Sequence, residues 1–387
     1  MVAPPPLAAF DRAEHAARWA RARDGMLADG LDALWVCSEA NYLYITGHQT
    51  GMFAIKSRPL SCLLPREGEP LLVVARSHLP QAAATSWVPD QRGYDGFEAE
   101  ALAALADAAR ARGLARGRIG AELGHEQRLG VSLLGFERLR AALPDASFVD
   151  AAPLLWRLRA RKSAAEVAQL RLAGRATAAG YHQALAAARV GVSEREVRRA
   201  FAVGALDAGA DRVGFFFVHA GTGAYQPSDG TPTERRLVPG DLLWMDAGAV
   251  SGGYWADYVR MASLGEPTPV RRRRYAAVYA ASRAVLGAVR PGVPVAELAR
   301  LCAQHLAANG EALGTASRIG HGIGLDLTEP PSLNETDPTV LEAGMVIAVE
   351  PTIAAPDGRY VVEENLVVTD DGYELLSEPA PSELPVI

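Results

Sequence analysis

Two aspartates in the C-terminal half of the chain raise the first chemical question. Asp246 and Asp257 stand eleven residues apart in a segment that is otherwise typical of β-strands, and Gly252 and Gly253 lie between them. A buried carboxylate is costly unless a cation or hydrogen-bond donors meet it. Either ordinary partners or metal ions must therefore neutralise this pair.

Three more side chains suited to divalent metals occur in strand or strand-end contexts. The full set is Asp246, Asp257, His321, Glu350 and Glu363. Four carboxylates brought together raise one another's pKa until one is protonated, unless cations compensate their charge. Two divalent cations would do so, and one nitrogen among oxygen ligands favours manganese, with zinc, cobalt or iron as alternatives. In such a centre the metals polarise a scissile carbonyl and a bridging water becomes the nucleophile.

Each residue taken alone also has an ordinary structural interpretation. A single aspartate in a strand is typical of an edge or a turn, and a histidine beside glycines, such as His321, is typical of a loop. Only the combination of all five residues favours a metal site.

The elements that must carry these residues fall into two parts. Residues 1–155 alternate between helical and strand-like patterns, which predicts an α/β domain. Residues 156–387 do not alternate strictly, which predicts an α+β domain. Its expected strands are 213–219, 241–250, 253–263, 345–354, 360–369 and 373–377, and its expected helices include 193–209, 271–290 and 294–309. The glycines at 252 and 253 predict a tight turn that lets both aspartates face one centre.

Several local patterns give sharper predictions. Ser163 and Glu166 form a capping box at the start of a long helix. Residues 38–41 are expected to turn after the strand 31–37, and further strands are expected around 53–64 and 70–75. Arg271–Arg274 is interpreted as a solvated first helical turn rather than a phosphate site.

The order and spacing of the five residues resemble those of the pita-bread metallopeptidase family, which includes methionine aminopeptidase, Xaa-Pro aminopeptidase, prolidase and creatinase. The resemblance is carried by "DAG" with an aspartate eleven residues on, "GHGIGLDL", "VEP" and "EENLVVTDDG". "ALWVCSEANYLYITGHQTG" is similar to the creatinase/prolidase-type N-terminal domain, and "LRARKSAAEVAQLR" to its linker helix. The resemblance implies a pita-bread C-terminal domain with pseudo-twofold halves around a curved antiparallel sheet, and a homodimer.

The resemblance also implies roles for the individual residues. Asp246, Asp257 and Glu363 would be bridging or chelating metal ligands, and His321 and Glu350 would complete the pair of sites. Glu350 would also be the base that takes a proton from the bridging water.

Three positions depart from the family pattern. Xaa-Pro peptidases carry histidines at the positions of Asp229 and Thr328, and many carry an arginine at the position of Val361. The histidines are expected to hold the substrate carbonyl and the oxyanion, so each lost donor costs about 3–4 kcal/mol. Asp229 turns a donor into an acceptor, which suits a cationic or amine-bearing substrate. The alternative is that Asp229 only caps its loop.

Other polar residues have a functional and a structural interpretation. His219 ends an apolar strand at a glycine turn, where pocket residues are frequent. Arg260 is expected to pair with a metal-ligand carboxylate or to lie at the surface. Asp326 and Glu329 are expected to face the pocket or to solvate its rim. The alternation of Phe215–Phe217 predicts at least one core ring and another that lines the site.

Composition limits the functional class. A net charge of −6 argues against a nucleic-acid-coating protein, and no apolar run approaches the roughly 18 residues of a membrane span. Three widely spaced cysteines predict neither a disulfide framework nor a zinc-cysteine site. The N-terminus lacks the pattern of a signal peptide, so a cytoplasmic protein is expected.

Three functions remain open at this stage. The first is a dinuclear-metal-dependent hydrolase of a peptide-like C–N bond, similar to Xaa-Pro aminopeptidases and dipeptidases and acting on short peptides or small molecules. The second is a non-peptide enzyme on the same scaffold, of the ectoine-hydrolase or dimethylsulfoniopropionate-lyase type, which the contexts "LTEPPS" and "EEN" favour. The third is a binding protein on an inherited scaffold, which the complete ligand set disfavours.

Overall fold

The computed structural model describes residues 10–221, 230–314 and 318–387. The chain divides into two compact units, one ending at Arg159 and the other beginning at Ala160. Each unit has its own sheets and its own apolar core. Among the helices of these described ranges, none combines the length and apolar character that a bilayer crossing requires.

The first unit is a six-stranded mixed sheet with helices. Its strands are β1 Ala33–Val36, β2 Ser61–Pro65, β3 Leu71–Ala75, β4 Asp90–Tyr94, β5 Arg118–Ala121 and β6 Ser147–Asp150. Its helices are α1 Arg12–Asp29, α2 Glu39–Thr46, α3 Leu79–Thr85, α4 Glu98–Ala111, α5 Leu133–Ala142 and α6 Ala152–Ala160. The strand order is β4-β3-β2-β1-β5-β6, with β2 antiparallel to both of its neighbours and the other pairs parallel.

Two predictions for the first unit are wrong. The expected turn at residues 38–41 is the start of α2, because the Ser38 side chain accepts from the Asn41 N–H and so caps the helix. The expected strand at 53–64 is much shorter, since Gly51–Ala54 forms a 3₁₀ turn and the strand begins at Ser61.

The second unit contains four helices and eleven strands in its described residues. The helices are α7 Ala164–Ala187, α8 Glu194–Asp207, α9 Pro269–Ala288 and α10 Val295–Ala308. The strands are β7 Arg212–Gly221, β8 Leu242–Ser251, β9 Tyr254–Trp255, β10 Tyr258–Ser263, β11 Gly320–Gly322, β12 Glu329–Ser332, β13 Val346–Val349, β14 Thr352–Ala355, β15 Gly358–Val361, β16 Glu364–Val368 and β17 Tyr373–Leu375.

The helix starts of this unit follow their sequences closely. The capping box of Ser163 and Glu166 is confirmed at the start of α7. The interpretation of Arg271–Arg274 as a solvated first helical turn is wrong for its first and last members. Arg274 is partly buried and pairs with Glu311 and Asp357. Arg271 is buried and donates to the Gly240 carbonyl, because the start of α9 packs down onto the loop before β8.

The second unit is built from two halves, each with a pair of helices against antiparallel strands. In one half α7 and α8 pack on the sheet β10-β8-β7, and in the other α9 and α10 pack with the sheet β12-β11-β13-β16-β17. Alternate residues of β8 belong to different apolar cores. Met245 and Ala247 lie in the core that includes α7 and α8, whereas Trp244 lies in the core that includes α9 and α10. Because strand side chains alternate, Asp246 lies on the same face as Trp244 and points towards the second half.

Candidate metal centre

Asp246 is held in the middle of the longest hairpin of the second unit. It lies opposite Phe217 of β7 and Val259 of β10. Gly252 and Gly253 make the turn with φ of 59° and 85°, a conformation that glycine adopts at little cost in two-residue hairpin loops. The predicted glycine turn between the aspartates is therefore confirmed.

Asp257 lies in a break between β9 and β10 rather than inside one continuous strand. Its backbone N–H donates to Asn365 Oδ1 at 2.8 Å, and Asn365 Nδ2 donates back to the Asp257 carbonyl. A side chain at Gly248 would collide with the carbonyl oxygen of Ala256, whose chain approaches β8 at this point. The glycine of the "DAG" motif thus makes room for the segment that carries the second aspartate.

The remaining three residues come from the other half of the unit. His321 lies at the centre of β11, Glu350 directly follows β13, and Glu363 directly precedes β16. The expected strand 345–354 is interrupted at Glu350, and the expected strand 360–369 is interrupted at Glu363. Because the chain leaves the strand ladder there, the two carboxylates can turn towards β8.

The structure brings all five residues together. His321 Nε2 lies 3.3 Å from Asp257 Oδ2 and 3.7 Å from Glu350 Oε1. Ligand atoms of Asp257, His321 and Glu363 all lie within 4.8 Å of one another. The carboxyls of Asp246 and Asp257 are close enough to share a hydrogen bond. Asp257, His321 and Glu363 are buried, and Asp246 and Glu350 are partly open.

The cluster favours protonated acids when no cation compensates its charge. Burial raises the pKa of Asp257 to about 7, and it raises the pKa of Glu350 to about 7 against the opposing effect of His321. Burial, and then the charge of Asp257, raises the pKa values of Asp246 and Glu363 well above their usual range. Bound cations would compensate the negative charge of the carboxylates in place of those protons.

Two buried carboxylate oxygens show whether the cluster has free ligand atoms for metal ions. Asp246 Oδ1 and Glu363 Oε1 have no hydrogen-bond partner among the described residues, although buried polar atoms nearly always have one. His321 Nδ1 lies 2.8 Å from the Gly322 carbonyl, which can only accept, so Nδ1 carries the proton. In the neutral imidazole the Nε2 lone pair then faces the carboxylates. These oxygen and nitrogen lone pairs are suited to coordinate a pair of divalent cations.

Arg260 does not pair with a carboxylate of the cluster, so that expectation is wrong, and it is not at the surface either. It is buried, lies 3.0 Å from Glu364 Oε2, and donates to the backbone carbonyl of Glu363 at 2.9 Å. Arg260 therefore fixes the backbone on which Glu363 stands and leaves the Glu363 carboxylate to the cluster.

Glu329 does not solvate the rim of the pocket, so that alternative is wrong. It is buried, lies 3.0 Å from Lys162 Nζ, and accepts from the Leu325 N–H at 2.9 Å. The Trp255 indole N–H donates to the Leu325 carbonyl at 3.0 Å. These bonds fix the loop between β11 and β12, which also carries the half-buried Thr328.

The other expected residues have varied positions. His219 lies inside β7, opposite Trp244, with ring centroids 5.8 Å apart. Phe216 is a core ring, as predicted, while Phe217 is 37% exposed on the face of Asp246. Asp229 lies outside the described residues.

Two residues near the cluster were not anticipated, Trp244 and Arg359. The Arg359 guanidinium lies 5.6 Å from the Trp244 ring centroid, and its charge opposes the rise in the pKa of Asp246. Arg359 stands two positions before Val361 on β15, so both side chains lie on the same face. The period of two in a strand was the signal that could have found this arginine.

An oxygen-rich cluster with a single imidazole, held by the two halves of an α+β unit, is typical of metal-dependent hydrolases. Comparison with known proteins makes the class specific. Residues 168–370 match metallopeptidase family M24, and residues 18–161 match the creatinase/prolidase N-terminal domain. The chain belongs to metallopeptidase family M24, and the family and fold expected from the sequence are confirmed.

Individual relatives cover nearly the whole chain. The Xaa-Pro dipeptidase of Lactobacillus delbrueckii subsp. lactis is 28% identical over 354 residues, which are 89% of this chain and 92% of that protein. Dipeptidase PepE from Mycobacterium ulcerans has a TM-score of 0.82 at 29% identity, covering 98% and 99% of the two chains. The Xaa-Pro dipeptidase from Bacillus anthracis shares the fold with a TM-score of 0.85, at 24% identity and 96% and 100% coverage.

Proposed function

We propose that this chain is a dinuclear-metal-dependent peptidase that hydrolyses the C–N bond of short Xaa-Pro peptides. The observation that carries the proposal is the convergence of four carboxylates and one imidazole around buried oxygens that no described donor satisfies. The similarity to Xaa-Pro dipeptidases supports the substrate class. The open ring of Phe217 opposite Asp246 offers an apolar surface for a proline side chain.

Asp246, Asp257, His321, Glu350 and Glu363 would hold two divalent cations, manganese in the first instance and zinc, cobalt or iron as alternatives. When bound, the cations would polarise the scissile carbonyl and lower the pKa of the attacking water. The carboxylates themselves orient these ions, because each can offer two oxygens whereas the imidazole offers one nitrogen.

Glu350 is the residue best suited to move a proton. Its carboxylate is partly open, so a water and a substrate can reach it, and a carboxylate within hydrogen-bond reach of the attacking water can act as a general base. It accepts a proton from the attacking water at its carboxylate and can return that proton to the leaving nitrogen. The Glu350 N–H donates to the Ile319 carbonyl at 2.7 Å, which fixes the base beside the strand of His321.

A panel of substrates tests the proposal. The manganese-loaded protein should cleave Xaa-Pro dipeptides, and Glu350→Gln or Asp257→Asn should lower turnover by at least about 100-fold. The matched control is Glu342→Gln, because this exposed acid pairs with Arg161 and is not part of the cluster. Circular dichroism checks that the variants fold. Full activity in either cluster variant would contradict the assignment.

A second candidate function is a non-peptide enzyme of the ectoine-hydrolase or dimethylsulfoniopropionate-lyase type. The observation that favours it is the loss of donors: Thr328 is uncharged, and Val361 is buried in the apolar core. Bound metal without cleavage of any Xaa-Pro peptide, together with hydrolysis of a small cyclic or acetylated amide or elimination from a sulfonium acid, would establish this alternative. The homodimer remains part of both proposals, and light scattering of the purified protein tests it.

A further inference from the structure

The main chain of Asp257 is held by one side chain from the other half of the second unit. Asn365 Oδ1 accepts from the Asp257 N–H at 2.8 Å, and Asn365 Nδ2 donates to the Asp257 carbonyl. A main-chain N–H can only donate and a carbonyl can only accept, so the two bonds together need one acceptor and one donor, which a carboxamide provides. Asn365 is 3% exposed, so both bonds are shielded from water.

Asn365 stands in one row of its sheet with His321. His321 on β11 lies opposite Ala348 on β13, and Ala348 lies opposite Asn365 on β16. Residues directly opposite each other place their side chains on the same face of a sheet, so the imidazole and the amide point to the same side. Asp257 meets this row twice. Its carboxylate lies 3.3 Å from His321 Nε2, and its main chain is bonded to the amide of Asn365.

Hydrogen bonds from the C-terminal segment hold Asn365 itself in place. Its N–H donates to Ser377 Oγ at 3.1 Å, and its carbonyl accepts from the Leu376 N–H at 2.8 Å. The Ser377 hydroxyl donates in turn to the Glu364 carboxylate. Because these bonds and the ladder with β13 fix the main chain of Asn365, its amide presents a fixed template to Asp257.

The bonds between the two halves are reciprocal. Arg260 stands three residues after Asp257 and donates to the Glu363 carbonyl at 2.9 Å. Asn365 stands two residues after Glu363 and bonds the main chain of Asp257. Each segment that carries an acid of the cluster thus supplies a side chain that holds the other segment. The distance between the Asp257 and Glu363 carboxylates depends on these bonds, and a metal site needs its ligands fixed to within about 0.5 Å.

We propose that Asn365 is a positioning residue. By holding the main chain of Asp257, it keeps the Asp257 carboxylate at the distance from His321 and Glu363 that a pair of divalent cations requires. This inference rests on the proposed metal-dependent function and deepens it. Asn365 coordinates no ion itself, because both ends of its amide are bonded to Asp257. Replacing a group that hydrogen-bonds to a metal-ligating residue typically lowers metal affinity or activity by about 10- to 100-fold.

The test is Asn365→Leu, which has a similar volume but can neither donate nor accept. Calorimetric titration with manganese should show an affinity about 10- to 100-fold below that of the wild type. In the cobalt-loaded protein the visible absorption bands, which report the coordination geometry, should shift. For Xaa-Pro dipeptides kcat should fall while KM changes little, because the amide faces Asp257 and not the substrate. Asn365→Ala carries the same expectations and serves as the second variant should Asn365→Leu fail to fold.

The matched control is Thr177→Val. Thr177 is also a buried side chain that bonds the main chain of the hairpin carrying the aspartates: its hydroxyl accepts from the Ala249 N–H at 2.9 Å and donates to the Ala173 carbonyl at 2.9 Å. Loss of these bonds should lower the urea midpoint in chelator, as Asn365→Leu does, but it should leave manganese affinity and the cobalt spectrum unchanged. An equal loss of manganese affinity in both variants would show a general loosening of the fold and would overturn the proposal.

Metal binding is measured without substrate, so failure of this inference is separate from failure of the proposed function. If the Asn365 variants lose stability but bind manganese as tightly as the wild type and keep its cobalt spectrum, Asn365 is only structural, and the peptidase proposal stands on cleavage by the wild type. If the wild type cleaves no Xaa-Pro peptide but its manganese affinity depends on Asn365, the peptidase proposal fails and the positioning role remains. A wild-type protein that binds neither manganese nor cobalt refutes both.

Discussion

At the scale of single residues, Glu363 and Glu364 show how neighbours in one motif take opposite roles. Glu363 Oε1 is buried without a partner among the described residues. Glu364 is also buried, but it accepts from Arg260 at 3.0 Å and from the Ala380 N–H at 2.7 Å. Glu364 is thus satisfied by the protein itself, whereas Glu363 requires a proton or a cation.

This difference predicts opposite results for two isosteric substitutions. In chelator at about pH 8, Glu363→Gln should leave stability unchanged or increase it, because it removes a carboxyl whose pKa is raised by burial and neighbouring acids. Glu364→Gln should cost about 3 kcal/mol, because it leaves the buried Arg260 without its partner. Urea unfolding measures both effects.

Addition of manganese should reverse the order of stability of Glu363→Gln and Glu364→Gln. Metal should stabilise the wild type and Glu364→Gln to a similar extent, and it should stabilise Glu363→Gln much less. If Glu363→Gln gains as much stability from metal as the wild type, Glu363 is not a ligand.

At the scale of elements, three of the four clustered acids lie where strands break, whereas Asp246 lies inside β8. The hydrophobic pattern runs on through Asp257, Glu350 and Glu363, so the sequence predicts three uninterrupted strands there. The structure interrupts each strand at its acid. A residue inside a ladder has a fixed direction on one face, whereas a residue in a break can turn towards a common centre. The β11–β12 loop beside them is fixed instead by the Lys162–Glu329 pair.

This buried pair predicts a large stability effect with a clear internal control. Lys162 and Glu329 are 2% and 1% exposed, so Lys162→Met should cost about 3–5 kcal/mol by leaving an unpaired buried carboxylate. Lys162→Met combined with Glu329→Leu should recover much of that loss. The adjacent pair of Arg161 and Glu342 is exposed, and Arg161→Met should change the free energy of unfolding by at most about 1 kcal/mol. Equal effects at Lys162 and Arg161 would contradict the interpretation.

At the scale of the whole molecule, all five cluster residues belong to the unit that begins at Ala160. Metal binding should therefore stabilise that unit. Residues far apart in the chain meet there, so the cluster concentrates negative charge that the folded state holds together and the unfolded chain does not.

The pH dependence of the metal-free protein follows from this contrast. The pKa values of Asp257 and Glu350 rise to about 7 in the folded protein from 3.8 and 4.5. Acids with raised folded-state pKa values contribute stability that is complete below about pH 4 and is lost as pH rises through about 7. In chelator, the free energy of unfolding should fall between about pH 4 and pH 7, whereas the metal-loaded protein should show little of this fall. Unfolding curves across that range check the sign, and a metal-free protein that gains stability towards pH 7 would refute it.

The sequence by itself determined which residue types could form the acidic cluster, their order along the chain, the glycine turn at Gly252 and Gly253, and the capping box at Ser163. Each of these is a local property, because turn geometry and helix caps depend on a few neighbouring residues. The change in the alternation of helical and strand-like patterns predicted the two parts, and the family resemblance added the type of each domain, since its motifs extend along most of the chain.

Only the tertiary structure decided which charges meet. Arg260 pairs with Glu364, Lys162 pairs with Glu329, and Arg359 reaches Trp244, although each pair is separated by more than one hundred positions in the sequence. No local pattern encodes such pairings, because they depend on how strands from the two halves of the second unit pack. For the same physical reason the breaks at the acids became visible only when both halves were in place.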